Sequence, residues 1–160
     1  MLHISVEELQ KRTISIQEYL DTLQQPYKAK FLERKHSYRL ADELMSTLKE
    51  YAQDVVIIVF SADWCKDCAA NVPVLALLSE KTGIPVTVFG GLKTNPLNPR
   101  EMWKIPPSPP EVKMFNVRRI PCIIVFTKQG KKLGTIIEHP KQGNTLEREI
   151  LDIIQQAETP

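Results

Sequence analysis

Six apolar residues in a row, Val55 to Phe60, run directly into Ser61-Ala62-Asp63-Trp64-Cys65-Lys66-Asp67-Cys68. A short unbroken run rich in β-branched residues reads as a strand buried on both faces. The residues after it, from about Cys65 to Ser79 with an end near Gly83, have the composition of a helix. A doubly covered strand that turns at once into a helix restricts the chain to an α/β architecture. It also sets two cysteines, two residues apart, at the head of that helix, which is a redox arrangement. Pro73 falls inside the helix, where it removes a backbone donor and should kink the axis.

The flanking segments fit a sheet with helical connections. Residues 1–53 read as helical throughout. Ser5-Val6-Glu7-Glu8 and Ser15-Ile16-Gln17-Glu18 both have the form of a capping box, and imply one or two short helices before Pro26. From Tyr27 onward, Phe31, Tyr38, Ala41, Leu44, Met45, Leu48 and Tyr51 recur at helical spacing, which predicts one long amphipathic helix against the core. Its basic stretch (Lys28, Lys30, Arg34, Lys35, His36 and Arg39) is expected to be a solvated face rather than a docking patch, and His3 and His36 polar surface.

Beyond the cysteines, Ile84 to Phe89 predicts a second strand closed by Gly90-Gly91. Residues 93–111 hold six of the chain's 12 prolines, and no regular element fits them. Trp103 and Met102 are the large apolar anchors of that segment, expected to pack into the core. A short helix over Pro110 to Phe115, a strand from Ile123 to Phe126, a hairpin turn at Lys128-Gln129-Gly130-Lys131 and a return strand from Leu133 to Ile137 follow. Thr145 to Ile154 predicts a final amphipathic helix, capped by Asn144.

Composition narrows the partners. Against 21 Lys and Arg stand 19 Asp and Glu, scattered, so no nucleic-acid surface is expected. No apolar stretch approaches the roughly 20 residues that span a bilayer, and the N-terminal residues lack signal-peptide form. Cytoplasmic location with no membrane partner is the expectation. Three cysteines make neither a disulfide framework nor a paired zinc-knuckle set. Cys65, Cys68 and Cys122 with a histidine make a tetrahedral site on paper, but there is no second close Cys or His pair, so neither a metal nor another cofactor is expected.

A Cys-x-x-Cys on the first helical turn brings its sulfurs within disulfide range. The first sulfur lies beside unpaired N–H groups and the positive end of the helix dipole, which favour the thiolate. Cys65 is therefore the expected nucleophile and Cys68, one turn in, the resolving thiol. Lys66 should favour the thiolate further, and Asp67 should oppose it.

At these residues the chain resembles the thioredoxin family. Ala62-Asp63-Trp64-Cys65-Lys66-Asp67-Cys68, Pro73 in the following helix, and Phe115-Asn116-Val117-Arg118-Arg119-Ile120-Pro121 leading into a strand stand in the family's order. A hairpin and a closing helix follow, so the likeness covers about residues 54–155, apart from the proline-rich insertion at 93–111. The resemblance implies a thioredoxin-like fold, a mixed central sheet of about four strands flanked by helices, with residues 1–53 as a helical extension packed on a domain of residues 54–160. It implies a cis Pro121 beside the cysteines, an Ile120 backbone that pairs with substrate, and Trp64 as part of the docking surface. It also implies reduction of protein disulfides, with a reductase or a low-molecular-weight thiol as electron donor.

Three departures qualify this. Lys66-Asp67 stands where thioredoxins usually carry Gly-Pro, which should change the redox potential. Val59 occupies the position, six residues before the first cysteine, where the family keeps a buried acid that helps deprotonate the second. Cys122 replaces the usual threonine after the proline, and is expected as a small buried packing residue. The alternative function is a thioredoxin-like binding, adaptor or redox-sensing module with little turnover.

Overall fold

A computed structural model describes residues 5–158; His3 lies outside them. The chain runs α1 (Val6–Lys11), β1 (Ile14–Ser15), α2 (Ile16–Thr22), α3 (Tyr27–Ser37), α4 (Asp42–Lys49), β2 (Val55–Phe60), α5 (Lys66–Thr82), β3 (Val86–Phe89), α6 (Glu111–Met114), β4 (Cys122–Thr127), β5 (Lys132–Ile137) and α7 (Leu146–Glu158). The strands form one mixed sheet in the order β1-β3-β2-β4-β5. β2 and β3 are parallel, and the other pairings are antiparallel.

Every residue of β2 is buried, as its continuous apolar run requires of a central strand. On one face Phe60 packs against Phe89 and Phe115, and Phe115 meets Phe126 edge-on. Phe115 directly follows α6, so that short helix helps close this face. On the opposite face Gly134 of β5 lies against Ile153 of α7, and α5 packs with α2, α3, α4 and α7. α5 continues through Pro73 and ends at Gly83, whose φ of 80° is the left-handed conformation that glycine adopts without a Cβ clash.

The four expected strands are present, with a fifth outside them. Ile14 and Ser15 pair antiparallel with Val88 and Thr87, so residues 1–53 are not helical throughout. Two residues are too few to show the alternation by which a strand is read. Both capping boxes hold at their serines, which accept from the Glu8 and Glu18 amides.

The single long helix expected from Tyr27 to Tyr51 is two helices. Tyr38 and Ala41 are extended (ψ 138° and 106°), and the buried Glu147 carboxylate accepts from Tyr38 Oη at 2.7 Å and from the Ala41 amide at 3.0 Å. A tertiary carboxylate thus takes the Ala41 amide, which a continuous helix would have used internally. Much of the basic stretch is tied to the chain itself. Lys28 donates to the Asp21 carbonyl, Lys35 pairs with Glu80, and Arg34 donates to the Ala70 carbonyl and lies over the Tyr38 ring.

Two smaller expectations also change. The cap of α7 is Thr145, whose hydroxyl accepts from the Arg148 amide, while Asn144 accepts only from its neighbour. Met102 is 45% exposed and stands outside the core, whereas Trp103 is buried and donates to the Val117 carbonyl. The proline-rich segment is stitched by a bridge between Thr94 and Trp103 and by Ser108, which bonds both backbone groups of Lys93.

Candidate functional site

β2 ends at Phe60, and the next residue is pinned by a bond from the Ser61 amide to the Phe89 carbonyl. The turn through Ala62 and Asp63 delivers Cys65 as the N-cap of α5, where its sulfur accepts from the Cys68 amide at 3.2 Å. The cysteine therefore fills the role that Ser or Asp plays at other helix starts, and its thiolate is the better acceptor there. Cys65 is 9% exposed and Cys68 fully buried, so the first sulfur is the one within reach of another molecule. All three cysteines are free thiols.

The two sulfurs titrate in opposite directions. Cys65 is lowered, first by the hydrogen bond from the Cys68 thiol and then, against the cost of burial, by the backbone amides of Cys68 and Asp67. The Asp67 charge opposes this, while its amide assists. Cys68 is held far above the ordinary thiol range, first by burial, then by its bond to Cys65 and the charge there. Burial lifts Cys122 to about 11, beyond reach of neutral-pH chemistry. Cys122 lies on β4 opposite Phe60. Among the described residues no group of three or more His, Cys, Asp and Glu is placed to hold a metal.

The second wall of the site is the turn before β4. The Ile120–Pro121 bond is cis, and the Cys65 thiol lies 3.5 Å from the Ile120 carbonyl. This turn is held by Glu138, which adopts a left-handed φ of 70°. Its amide donates to the Pro121 carbonyl, its carbonyl accepts from Asn71 of α5 at 2.9 Å, and its carboxylate pairs with Arg119. Asn71 also bonds the Asp67 carbonyl, so one side chain joins the first turn of α5 to the proline turn. Trp64 is 42% exposed and fixed by a bond from its Nε1 to the Leu92 carbonyl. Lys66 is exposed beside the cysteines.

A family model for thioredoxin matches residues 13–95, just over half of the chain. The chain belongs to the thioredoxin family. The thioredoxin match begins at Thr13, well before the expected start at 54, and so takes in β1 to α4. The fold is similar to that of a Pseudomonas aeruginosa protein of unknown function, at 15% identity and a TM-score of 0.74, over 96% of this chain and 99% of that one. It is also similar to an HIV epitope-scaffold, at 16% identity and a TM-score of 0.71, over 96% and 99% of the two chains. A reduced thioredoxin pre-protein from Schistosoma mansoni shares 21% identity over 71% of this chain and 89% of its own, with a TM-score of 0.43. No curated protein matches.

The sequence pattern reached the cysteines, Trp64 and the proline turn, and the fold brings these together. It missed Asn71, Glu138 and two buried hydroxyls, Ser61 and Tyr19, 3.0 Å apart. Ser61 stands inside the motif and was legible as a neighbour of the site. Tyr19 has no motif, and the pairing of β1 with β3 is what brings α2 to this end of the sheet.

Proposed function

We propose that this protein is a thiol–disulfide oxidoreductase that reduces disulfides in protein clients. The observation that carries the reading is the Cys65 sulfur at the N-cap of α5, where it accepts from the Cys68 amide and lies 3.5 Å from the Ile120 carbonyl, next to Pro121. Cys65 attacks a client disulfide, and one client sulfur leaves as a thiolate and takes up a proton. Cys68 then gives up its proton and attacks Cys65. The mixed disulfide breaks, the second client sulfur takes up a proton, and a Cys65–Cys68 disulfide remains. A reductase or a small thiol returns the two electrons.

The exposed Trp64 ring and the Ile120 backbone are the client-binding groups in this reading, with Pro121 shaping the turn between them. Three cysteines, two of them in close spacing, suit a reducing compartment such as the cytoplasm. No helix among the described residues is long and apolar enough to cross a membrane.

Insulin reduction driven by dithiothreitol tests the activity. The protein accelerates precipitation of the insulin B chain, and Cys65→Ser reduces the rate to that of dithiothreitol alone. Equal rates for Cys65→Ser and wild type would remove the reading. Cys68→Ser is expected to accumulate client mixed disulfides at Cys65, visible on non-reducing gels and abolished by dithiothreitol.

A further inference from the structure

The resolving step needs a thiolate at Cys68, and the residues around that sulfur work against one. Cys68 is fully buried, and in the dithiol form its proton is held by the neighbouring Cys65 sulfur. Val59, fully buried, pairs with Val88 and Ile123, so β2 brings no carboxylate there. Once Cys65 is tied up in a mixed disulfide, its charge is gone and burial is left as the chief obstacle to deprotonation.

Two hydroxyls address that obstacle. Ser61 is fully buried and fixed by its own amide bond to Phe89, and its hydroxyl is among the groups that draw the Cys68 thiol toward the thiolate, against the larger cost of burial. Its Oγ lies 3.0 Å from Tyr19 Oη. Tyr19 comes from α2 and is 5% exposed. Its ring meets Phe31 edge-on with centroids 6.3 Å apart, and lies so close to Gly90 that a Cβ there would sit 2.7 Å from Cε1. Burial also holds the Tyr19 phenol far above its ordinary value, so it is a donor and not a base.

We propose that Tyr19 is a positioning residue for resolution: its hydroxyl donates to Ser61, which turns the Ser61 proton toward Cys68 and stabilises the thiolate formed there. This rests on the reading of Cys65 as nucleophile and Cys68 as resolving thiol. Neither hydroxyl changes protonation state. The proton that Cys68 loses passes to water, and the departing client thiolate takes one up. The Cys65–client bond breaks as the Cys65–Cys68 bond forms. A segment before the cysteine motif thereby supplies a donor chain at the end of a strand that lacks the acid.

The test uses stopped-flow reaction of the reduced protein with 5,5′-dithiobis(2-nitrobenzoate). Cys65 releases the first chromophore, and Cys68 releases the second on resolution. Tyr19→Phe keeps the ring and Ser61→Ala keeps the turn. Both are expected to leave the first phase unchanged and to slow the second roughly tenfold, with its pH midpoint moved upward, because a lost hydrogen bond to a charged group is felt only where that charge forms. The double variant should resolve no more slowly than Ser61→Ala, since Tyr19 acts through Ser61. An intact first phase beside a second phase of wild-type rate and midpoint overturns the relay alone, as does full additivity in the double variant. A wild-type protein with no Cys65-dependent release overturns the reading of the site, and the relay with it.

Discussion

Cys65 and Cys68 share one helical turn, yet one sulfur is stabilised as an anion and the other as an acid. The bond from the Cys68 thiol, and then the amides at the cap, explain the first; burial, and then the bond to Cys65, explains the second. The sign of the pH dependence follows. Since the Cys65 value is lowered, its thiolate persists below the pH at which an ordinary thiol, near 8.5, is half protonated. Alkylation by iodoacetamide should therefore stay fast at neutral pH and fall as the pH drops through that lowered value. Cys122 should resist the reagent until the pH nears 11. Mass spectrometry of peptides from a pH series would separate the three, and an unfavourable order, with Cys122 labelled first, would contradict the assignment. The cysteine spacing made the nucleophile legible in the chain, since cap geometry depends on local sequence. The donors around Cys68 were not legible, because Tyr19 reaches Ser61 across 42 residues of chain.

At the level of elements, local pattern predicted most of the regular structure and failed where a distant side chain intervened. The break between α3 and α4 depends on Glu147, which is 1% exposed and belongs to α7. Helical periodicity from Phe31 to Leu48 carries no trace of that carboxylate. Glu147→Ala would leave the Ala41 amide and Tyr38 hydroxyl without their acceptor, at a cost of about 1–3 kcal/mol for each group that stays buried. Urea denaturation should show a lower midpoint without loss of the thiol reactivity. A second case concerns the meeting of α7 and β5. Gly134 has no positive φ, so its role is spatial: a Cβ there would lie 2.9 Å from Cγ2 of Ile153. Gly134→Ala should cost about 1–3 kcal/mol by overpacking. Adding Ile153→Val, which removes one methyl, should recover part of the loss, giving a favourable coupling in the double-mutant cycle. Simple additivity would mean that the helix shifts freely and that the contact is not tight.

For the molecule as a whole, the question is whether residues before 54 are an attachment or a part of the domain. Sequence suggested an extension, because the motifs begin at β2 and residues 1–53 show little strand pattern. The core argues for a part. Ile16, Phe31 and Leu48 are wholly buried in the same apolar cluster as Val59, Leu75 and Ile123, and Tyr19, Leu20, Leu44 and Met45 join them. β1 also extends the sheet past β3. Full burial of one large apolar side chain contributes about 1.5–3 kcal/mol, so three of them alone approach the 5–15 kcal/mol that a whole domain retains. A chain starting at Asp54 would lose that burial and expose the α5 surface that α2, α3 and α4 cover. It should therefore show no cooperative urea transition. Phe31→Ala gives the same test without truncation. The site sits under the Tyr19 ring and should cost about 3–5 kcal/mol, enough to unfold a marginal domain. If residues 54–160 instead fold cooperatively and reduce disulfides at the full rate, the amino-terminal helices are a cover. Tyr19 would then have no part in resolution, because a single truncation would have removed it without effect.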